Sequence, residues 1–280
     1  MATTIYSQIT GKLTGHFAKG EAQAIARILI EDLLHLPLSH VMAGLNRPLS
    51  AQEGQTLDTA ISRLLAGEPI QHIIGKTIFC DNQIIVNPSV LIPRPETEQL
   101  VSLALSLPIA DEEAQVMDAC TGSGCIAIAI KKKRPQWHVH ACDISAAALH
   151  TAKENAALNE ANIIFSQADI TSTQRPKGPY SLIASNPPYV MNKERPLMQA
   201  HVLEHEPHLA LFVPDDDPLI FYRAIAQWGR QSLIPSGWIT AEINPLICRE
   251  TLAVFEAAGY SHCATRPDMF DKQRFIICQR

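Results

Sequence analysis

No stretch of this 280-residue chain is apolar for long enough to cross a bilayer. The longest, residues 100–110, is broken by Ser102, Ser106 and Pro108 and falls well short of the ~20 residues that a spanning helix requires. The first ten residues, MATTIYSQIT, lack the charged-then-apolar pattern of a secretory leader. CxxC pairs are missing too. The cysteines are odd in number (Cys80, Cys120, Cys125, Cys142, Cys248, Cys263 and Cys278), which argues for reduced, mostly buried thiols rather than a disulfide framework. A basic excess is also absent, with 23 Lys and Arg against 28 Asp and Glu and a net charge of −5. Bulk binding to nucleic acid or to an anionic membrane is therefore not expected. Glycine (13) and proline (19) stay near average usage, which excludes collagen-like and long disordered tracts. No internal repeat is visible. What remains is a cytoplasmic globular protein, expected to be monomeric, with enough length for about two domains of roughly 150 residues and a core that requires no staple.

Residues 1–75 read as helical. In 20–36, Ala24, Ile25, Ile28, Leu29, Leu33 and Leu36 recur at helical spacing. Ser50 and Glu53 have the form of a capping box, opening a helix through Leu57, Ile61 and Leu65 to Gly67. This expected helical bundle holds no catalytic constellation, so its expected role is substrate recognition. Residues 76–92 form the next block, where TIFCDNQIIV predicts a β-hairpin linker around Asp81 and Asn82. Pro93 and Pro95 then stiffen the chain around Arg94, and a helix begins at Thr97 or a neighbour. Within 93–280, strand signals (AQVMDAC, WHVHACD, NIIFSQAD, YSLIASN, GWITAEI, RFIICQR) are interleaved mostly with helical ones. That pattern predicts an α/β fold with a mostly parallel, Rossmann-like sheet covered on both faces.

Cys120, Thr121, Gly122, Ser123 and Gly124 follow the first of these strands and open a helix. Glycines there permit a sharp turn and a close backbone approach to a ligand. Asp143 ends the next strand, where an acid in a doubly wound sheet accepts hydrogen bonds from a ribose diol. A nucleoside cofactor is the reading. Gly122, Gly124 and Ala127 also fit G-x-G-x-x-G/A, so this motif alone leaves both NAD and S-adenosylmethionine open.

Asn186, Pro187, Pro188 and Tyr189 follow a later strand. The prolines fix φ and leave carbonyls at set angles, Asn186 adds a side-chain acceptor, and Tyr189 adds an aromatic face. Two acceptors and a face suit a planar group bearing NH₂, such as an amide or a base amine. Its delocalised nitrogen is a poor nucleophile, and holding it in line with an electrophile can contribute up to roughly 7–11 kcal/mol.

CTGSG at 120–124, Asp143 and NPPY at 186–189, taken in that order, resemble the amino-methyltransferases that use S-adenosylmethionine. With GEPIQH at 67–72 and LIPRPETE at 91–98, nearly the whole chain is similar to the HemK/PrmC family, the N5-glutamine methyltransferases of peptide chain release factors. The resemblance implies methylation of the glutamine in the Gly-Gly-Gln motif of a release factor, with S-adenosylhomocysteine as product. It implies that Cys120 through Gly124 line the methionine and ribose, that Asp143 holds the ribose hydroxyls, and that Asp169 and Ile170 border the adenine. Asn186 would touch both cofactor and substrate, and Asn186, Pro187, Pro188 and Tyr189 would hold the substrate amide, with Asn186, Pro187 and Tyr189 catalytic. Cys120 departs from the family's usual glycine and Ile170 from the aromatic ring of some relatives. No general base is expected, because the methylated nitrogen is acidic enough to lose its proton to water.

NPPY is shared with DNA adenine methyltransferases, so a nucleic-acid amino-methyltransferase is the alternative. The acidic balance and the lack of a basic region interleaved with aromatics weigh against it. An NAD oxidoreductase would leave NPPY without a role, and a non-catalytic module would leave Asn186 without one. His201, His205 and His208 with Glu204 and Glu206 include an i, i+4 pair, but Pro207 interrupts and HExxH is missing; a surface loop is expected, and no metal. Lys131, Lys132, Lys133 and Arg134 suit a helix C-terminus. His138 and His140 read as polar-face residues, and Asp215, Asp216 and Asp217 as a turn and helix start. Arg94 is read either as a contact to cofactor or substrate or as an ion pair with Glu96 or Glu98.

Overall fold

The computed structural model describes residues 4–45, 47–110 and 112–280. It divides into two compact units, Met1–Gly75 and Lys76–Arg280. Of the first ten residues, for which no secretory leader is expected, residues 1–3 lie outside the described residues. Among the described residues no helix is long and apolar enough to cross a membrane.

The first unit consists of helices α1 (Ile5–Leu13), α2 (Lys19–Ile28), α3 (Leu38–Met42), α4 (Ala51–Leu65) and α5 (Ile70–Ile74). The helix expected over 20–36 is not uniform: after Ile28 it widens into a π-helical turn at Leu29–Leu33. The capping box forms as the sequence requires, with Glu53 N donating to Ser50 Oγ at 3.2 Å and Ser50 N donating to Glu53 Oε2 at 2.8 Å. Leu57, Ala60, Ile61 and Leu64 face the core of this unit, while Leu65 is exposed. The 3.6-residue period turns the buried stripe by one position over two turns, so Leu64 takes the place that even i+4 spacing assigned to Leu65.

The second unit opens with an antiparallel hairpin, β1 (Lys76–Phe79) and β2 (Asn82–Ile85). Its turn is Cys80–Asp81, one residue earlier than the sequence suggested. Both residues have positive φ, 46° and 66°, as a two-residue turn matched to strand twist demands. Asn82 stabilises it by donating from Nδ2 to Cys80 O at 2.7 Å. Phe79, Ile84, Val86, Val90 and Ile92 enter the core of the second unit, so the stretch 76–92 packs within that unit. Helix α6 (Pro95–Ser106) begins at Pro95, with Arg94 as N-cap. Proline suits the first helical position because its missing N–H has no partner to lose there.

Then follow β3 (Gln115–Ala119), α7 (Cys125–Lys133), β4 (His138–Asp143), α8 (Ala146–Leu158), β5 (Ile163–Gln167), β6 (Tyr180–Ser185), β7 (Val190–Met191), α9 (Ala200–His205), β8 (Phe212–Val213), α10 (Ile220–Ser232), β9 (Leu233–Glu242), α11 (Cys248–Ala257), β10 (Ser261–Pro267) and β11 (Gln273–Gln279). Among the described residues, seven strands form one sheet in the order β10-β11-β9-β6-β3-β4-β5. Pairings from β9 through β5 are parallel, whereas β11 runs antiparallel to both β9 and β10. Strand β10 carried no signal in the sequence. It is an edge strand with register shifts, and much of it is half-exposed or exposed, so burial imposes no alternation on it.

Successive residues of the central strands serve opposite faces. Val116, Leu182 and Ala184 join one buried cluster, whereas Met117, Ile183 and Ala119 join the other, with Trp228 and Phe255. Each fully buried large side chain contributes about 1.5–3 kcal/mol, so the β3/β6 centre is held by apolar packing on both faces. From β3 the chain winds outward through β4 and β5, then returns to β6 on the other side of β3. That reversal opens a crevice at the carboxyl ends of β3 and β6, the place where doubly wound sheets bind ligands.

Candidate active site

A cavity of about 440 Å³ sits at these strand ends, within the size range of small-molecule sites. Cys120, Thr121, Gly122, Ser123, Asp143, Asp169, Ile170, Asn186 and Pro188 line it. Gly124, Pro187 and Tyr189 are not among the lining residues.

Where β3 ends, the backbone takes left-handed φ values at Cys120 (58°), Gly122 (53°) and Gly124 (82°). Cys120 takes a conformation that costs a side-chain-bearing residue roughly 1–2 kcal/mol and that a glycine adopts without strain. At Gly124 a Cβ would stand 3.1 Å from Ala152 Cβ, so this glycine lets α7 and α8 approach each other rather than facing the cavity. Asn155, fully buried on α8, donates to Ser123 O at 2.9 Å and exchanges hydrogen bonds with the backbone of Ile85 on β2. The hairpin is thus one support of the loop.

Asp118 lies beneath the loop, fully buried. Its Oδ2 accepts from Thr121 Oγ1 at 2.5 Å and from Ala127 N at 3.1 Å. Burial pushes its carboxyl up to about 7. Asp143 accepts from Gly122 N at 2.9 Å on Oδ2 and from Ser145 N at 2.9 Å on Oδ1. Burial raises this carboxyl as well, opposed by those N–H bonds. Each carboxylate oxygen retains a lone pair beyond these bonds, enough for a ribose diol. Asp169 Oδ1 is held by Thr171 N at 2.8 Å and Thr171 Oγ1 at 2.6 Å. Ile170, nearly fully buried, contributes apolar wall with Ile144, Leu209 and Phe221. An acid for the diol, an apolar slot for a base and a turn with exposed backbone together fit a nucleoside cofactor.

Arg94 pairs with Glu206, not with Glu96 or Glu98. The Glu206 side chain is fully buried and also accepts from Ile92 N at 3.1 Å. Glu98 instead accepts from Cys80 N at 2.8 Å. Burial selects the partner: Glu96 and Glu98 are half-buried in the first turn of α6, where the helix dipole favours acids, whereas the Glu206 side chain has no solvent.

Asn186 stands at the carboxyl end of β6. Its Nδ2 donates to Thr97 Oγ1 at 3.1 Å, and Thr97 Oγ1 donates to Glu242 Oε2 at 2.8 Å. Tyr189 OH donates to Glu242 Oε1 at 2.9 Å and accepts from Arg274 at 3.4 Å. Burial, reinforced by Glu242, holds the Tyr189 phenol well above its usual range. The hydrogen bonds to Glu242 and Arg274 show that the ring turns its polar end to the interior. Sequence reasoning missed Thr97, Glu206 and Glu242 as partners of the site. Glu242 had a signal, being an acid at the end of an apolar strand, like Asp118 and Asp143. Thr97 had none.

The remaining candidates are dispersed. His201 and His205 lie on the short helix α9, with Pro207 just beyond its end. His208 bonds Leu203 O at 2.8 Å and stacks edge-on with Phe212. Lys131 caps the end of α7 by donating to Pro135 O and Trp137 O at 2.8 and 2.7 Å. His140 bonds Gln115 at 3.0 Å and His138 is exposed. Asp215 accepts from Lys193 N at 3.0 Å and Asp217 pairs with Arg223.

Two family models match: PrmC N-terminal domain over residues 7–75 and Methyltransferase small domain over residues 98–210. A release factor glutamine methyltransferase of Bacteroides thetaiotaomicron is 38% identical over 277 residues, 99% of either chain. That of Flavobacterium psychrophilum is 36% identical over 273 residues, 96% of either chain. Among solved structures, a methyltransferase from Pyrococcus furiosus aligns with a TM-score of 0.52 at 14% identity, covering 79% of this chain and 98% of its own; this likeness is one of fold.

Proposed function

The chain belongs to the release factor glutamine methyltransferase family, and on that premise we propose that it methylates the side-chain amide nitrogen (N5) of the glutamine in the Gly-Gly-Gln motif of peptide chain release factors. The observation that carries this reading is Asn186 in the wall of the cavity that Asp143 also lines, with Nδ2 committed to Thr97 and Oδ1 left as an acceptor. S-adenosylmethionine, when bound, supplies an electrophilic methyl and leaves as S-adenosylhomocysteine. Cys120, Thr121, Gly122 and Ser123 receive its methionine and ribose portions, Asp143 the ribose diol, and Asp169 and Ile170 the base. Gly124 sets the turn.

Asn186 Oδ1 accepts one N–H of the substrate amide and the Pro187 carbonyl accepts the other. Two acceptors on one NH₂ orient its nitrogen and draw electron density toward it. Pro188 closes the cavity wall next to them, and Tyr189 anchors the motif through Glu242. Every group named lies in residues 76–280 of one chain, so a monomer suffices. The helical unit 1–75 serves to recognise the protein substrate, and a substrate drawn from translation sets the reaction in the cytoplasm. Nucleic-acid methylation is not favoured. Transfer of labelled methyl from S-adenosylmethionine to purified release factor, with DNA alongside and peptide mapping of the product, tests the reading. Label in DNA, or in release factor outside the Gly-Gly-Gln peptide, would refute it.

A further inference from the structure

The bonds behind Asn186 form a relay with a direction. Threonine has one hydroxyl proton to donate, and an ionised carboxylate can only accept. Thr97 Oγ1 lies 2.8 Å from Glu242 Oε2 and 3.1 Å from Asn186 Nδ2. With Glu242 ionised, the Thr97 proton goes to Glu242, and Thr97 offers a lone pair to Asn186. Asn186 must then present its NH₂ inward, which leaves Oδ1 for the cavity. We propose that Glu242, acting through Thr97, is a positioning residue that sets which end of the Asn186 amide meets the substrate, and that it does so only as a carboxylate. This proposal rests on the glutamine-methylation reading above.

A protonated Glu242 reverses the relay. It donates to Thr97, the Thr97 hydroxyl turns to Asn186 Oδ1, and the Asn186 amide rotates by half a turn. Its NH₂ then faces the NH₂ of the substrate, donor against donor. Glu242 is 2% exposed, and burial raises its carboxyl above the ordinary range. The groups facing it come from several elements. Glu96 on α6 opposes its charge, and Arg274 on β11 favours it. The Tyr189 hydroxyl donates to it at 2.9 Å. Tyr222 on α10 lies nearby with its hydroxyl accepting from Asn244 N at 3.1 Å, while Asp268 holds Arg274 at 3.1 Å. Since the ionised form is the competent one, turnover rises with pH through the raised Glu242 value and is lost below it.

The test uses the full chain, purified release factor and labelled S-adenosylmethionine, with cofactor affinity measured separately by calorimetry. Thr97→Val keeps the shape and removes the hydroxyl; kcat is expected to fall about tenfold or more with cofactor affinity little changed, and Thr97→Ser to recover most of the rate. Glu242→Gln is expected to cost more, because Tyr189 holds the new carbonyl and the new NH₂ donates to Thr97. In a Thr97→Val background the same change should cost little further. The acidic limb of the wild-type kcat profile should vanish in Thr97→Val. An unaltered kcat or an unaltered acidic limb in Thr97→Val overturns the relay, as do costs of the two substitutions that multiply. Should Thr97→Val not fold, the ¹H–¹⁵N signals of the Asn186 side chain report the same event in the wild type; they should shift with pH in step with the limb, and invariance overturns the proposal. If the wild type transfers no methyl to release factor, the glutamine reading falls and the relay with it; transfer with an indifferent Thr97 sinks the relay alone.

Discussion

Replacing Asp118 with asparagine isolates one buried carboxyl in the stability of the second unit. Asp118 is 0% exposed, and among the described residues Oδ2 finds Thr121 Oγ1 and Ala127 N as partners while Oδ1 finds none. Removal from water therefore outweighs the two hydrogen bonds, and the carboxyl rises from an ordinary 3.8 to about 7. That difference corresponds to about 4 kcal/mol of native-state preference for the protonated form. The native state thus binds the proton more tightly than the unfolded chain. The associated stability is fully present below pH about 4, declines as pH rises, and is gone above about 7. In Asp118→Asn this titration is missing, and an unsatisfied NH₂ imposes instead a constant cost of about 1–3 kcal/mol. Urea unfolding from pH 4.5 to 8, followed by tryptophan fluorescence, measures both. Trp137, Trp228 and Trp238 all lie in residues 76–280, so the signal reports the unit concerned. The wild type should lose several kcal/mol relative to the variant across that range. Curves that stay parallel within about 1 kcal/mol would refute the argument that burial dominates this site.

Asn186→Ala should bind S-adenosylmethionine normally yet lose about 10²-fold or more in turnover, as losses of preorganised polar groups do; near-normal turnover would end the amide-orientation mechanism. Gly124→Ala places a Cβ against Ala152 at left-handed φ and should lower stability by about 1–3 kcal/mol, read by urea unfolding. Arg94→Ala leaves buried Glu206 with Ile92 N as its partner and should cost about 1–3 kcal/mol, part of which a second change, Glu206→Gln, should restore in thermal melts. Removing residues 1–75 should spare cofactor affinity while raising KM for intact release factor about tenfold or more; an unchanged KM would show that the helical unit does not recognise the substrate.

The sequence by itself determined what depends on neighbours along the chain. The capping box at Ser50, the alternation of strands and helices after residue 114, and the placement of Gly122, Asp143 and Asn186 at strand ends are all local, because turn chemistry and hydrophobic period act over a few residues. The resemblance carried by CTGSG, NPPY and LIPRPETE is local in the same sense. Tertiary structure alone decided the pairings across long separations. Thr97 meets Asn186 and Glu242 from 89 and 145 residues away, and Arg94 meets Glu206 from 112. Such partners are selected by burial, since a carboxylate shut off from water must find donors wherever the sheet order brings them. Edge strand β10 was hidden for the converse reason: a strand that water reaches needs no pattern to hold it.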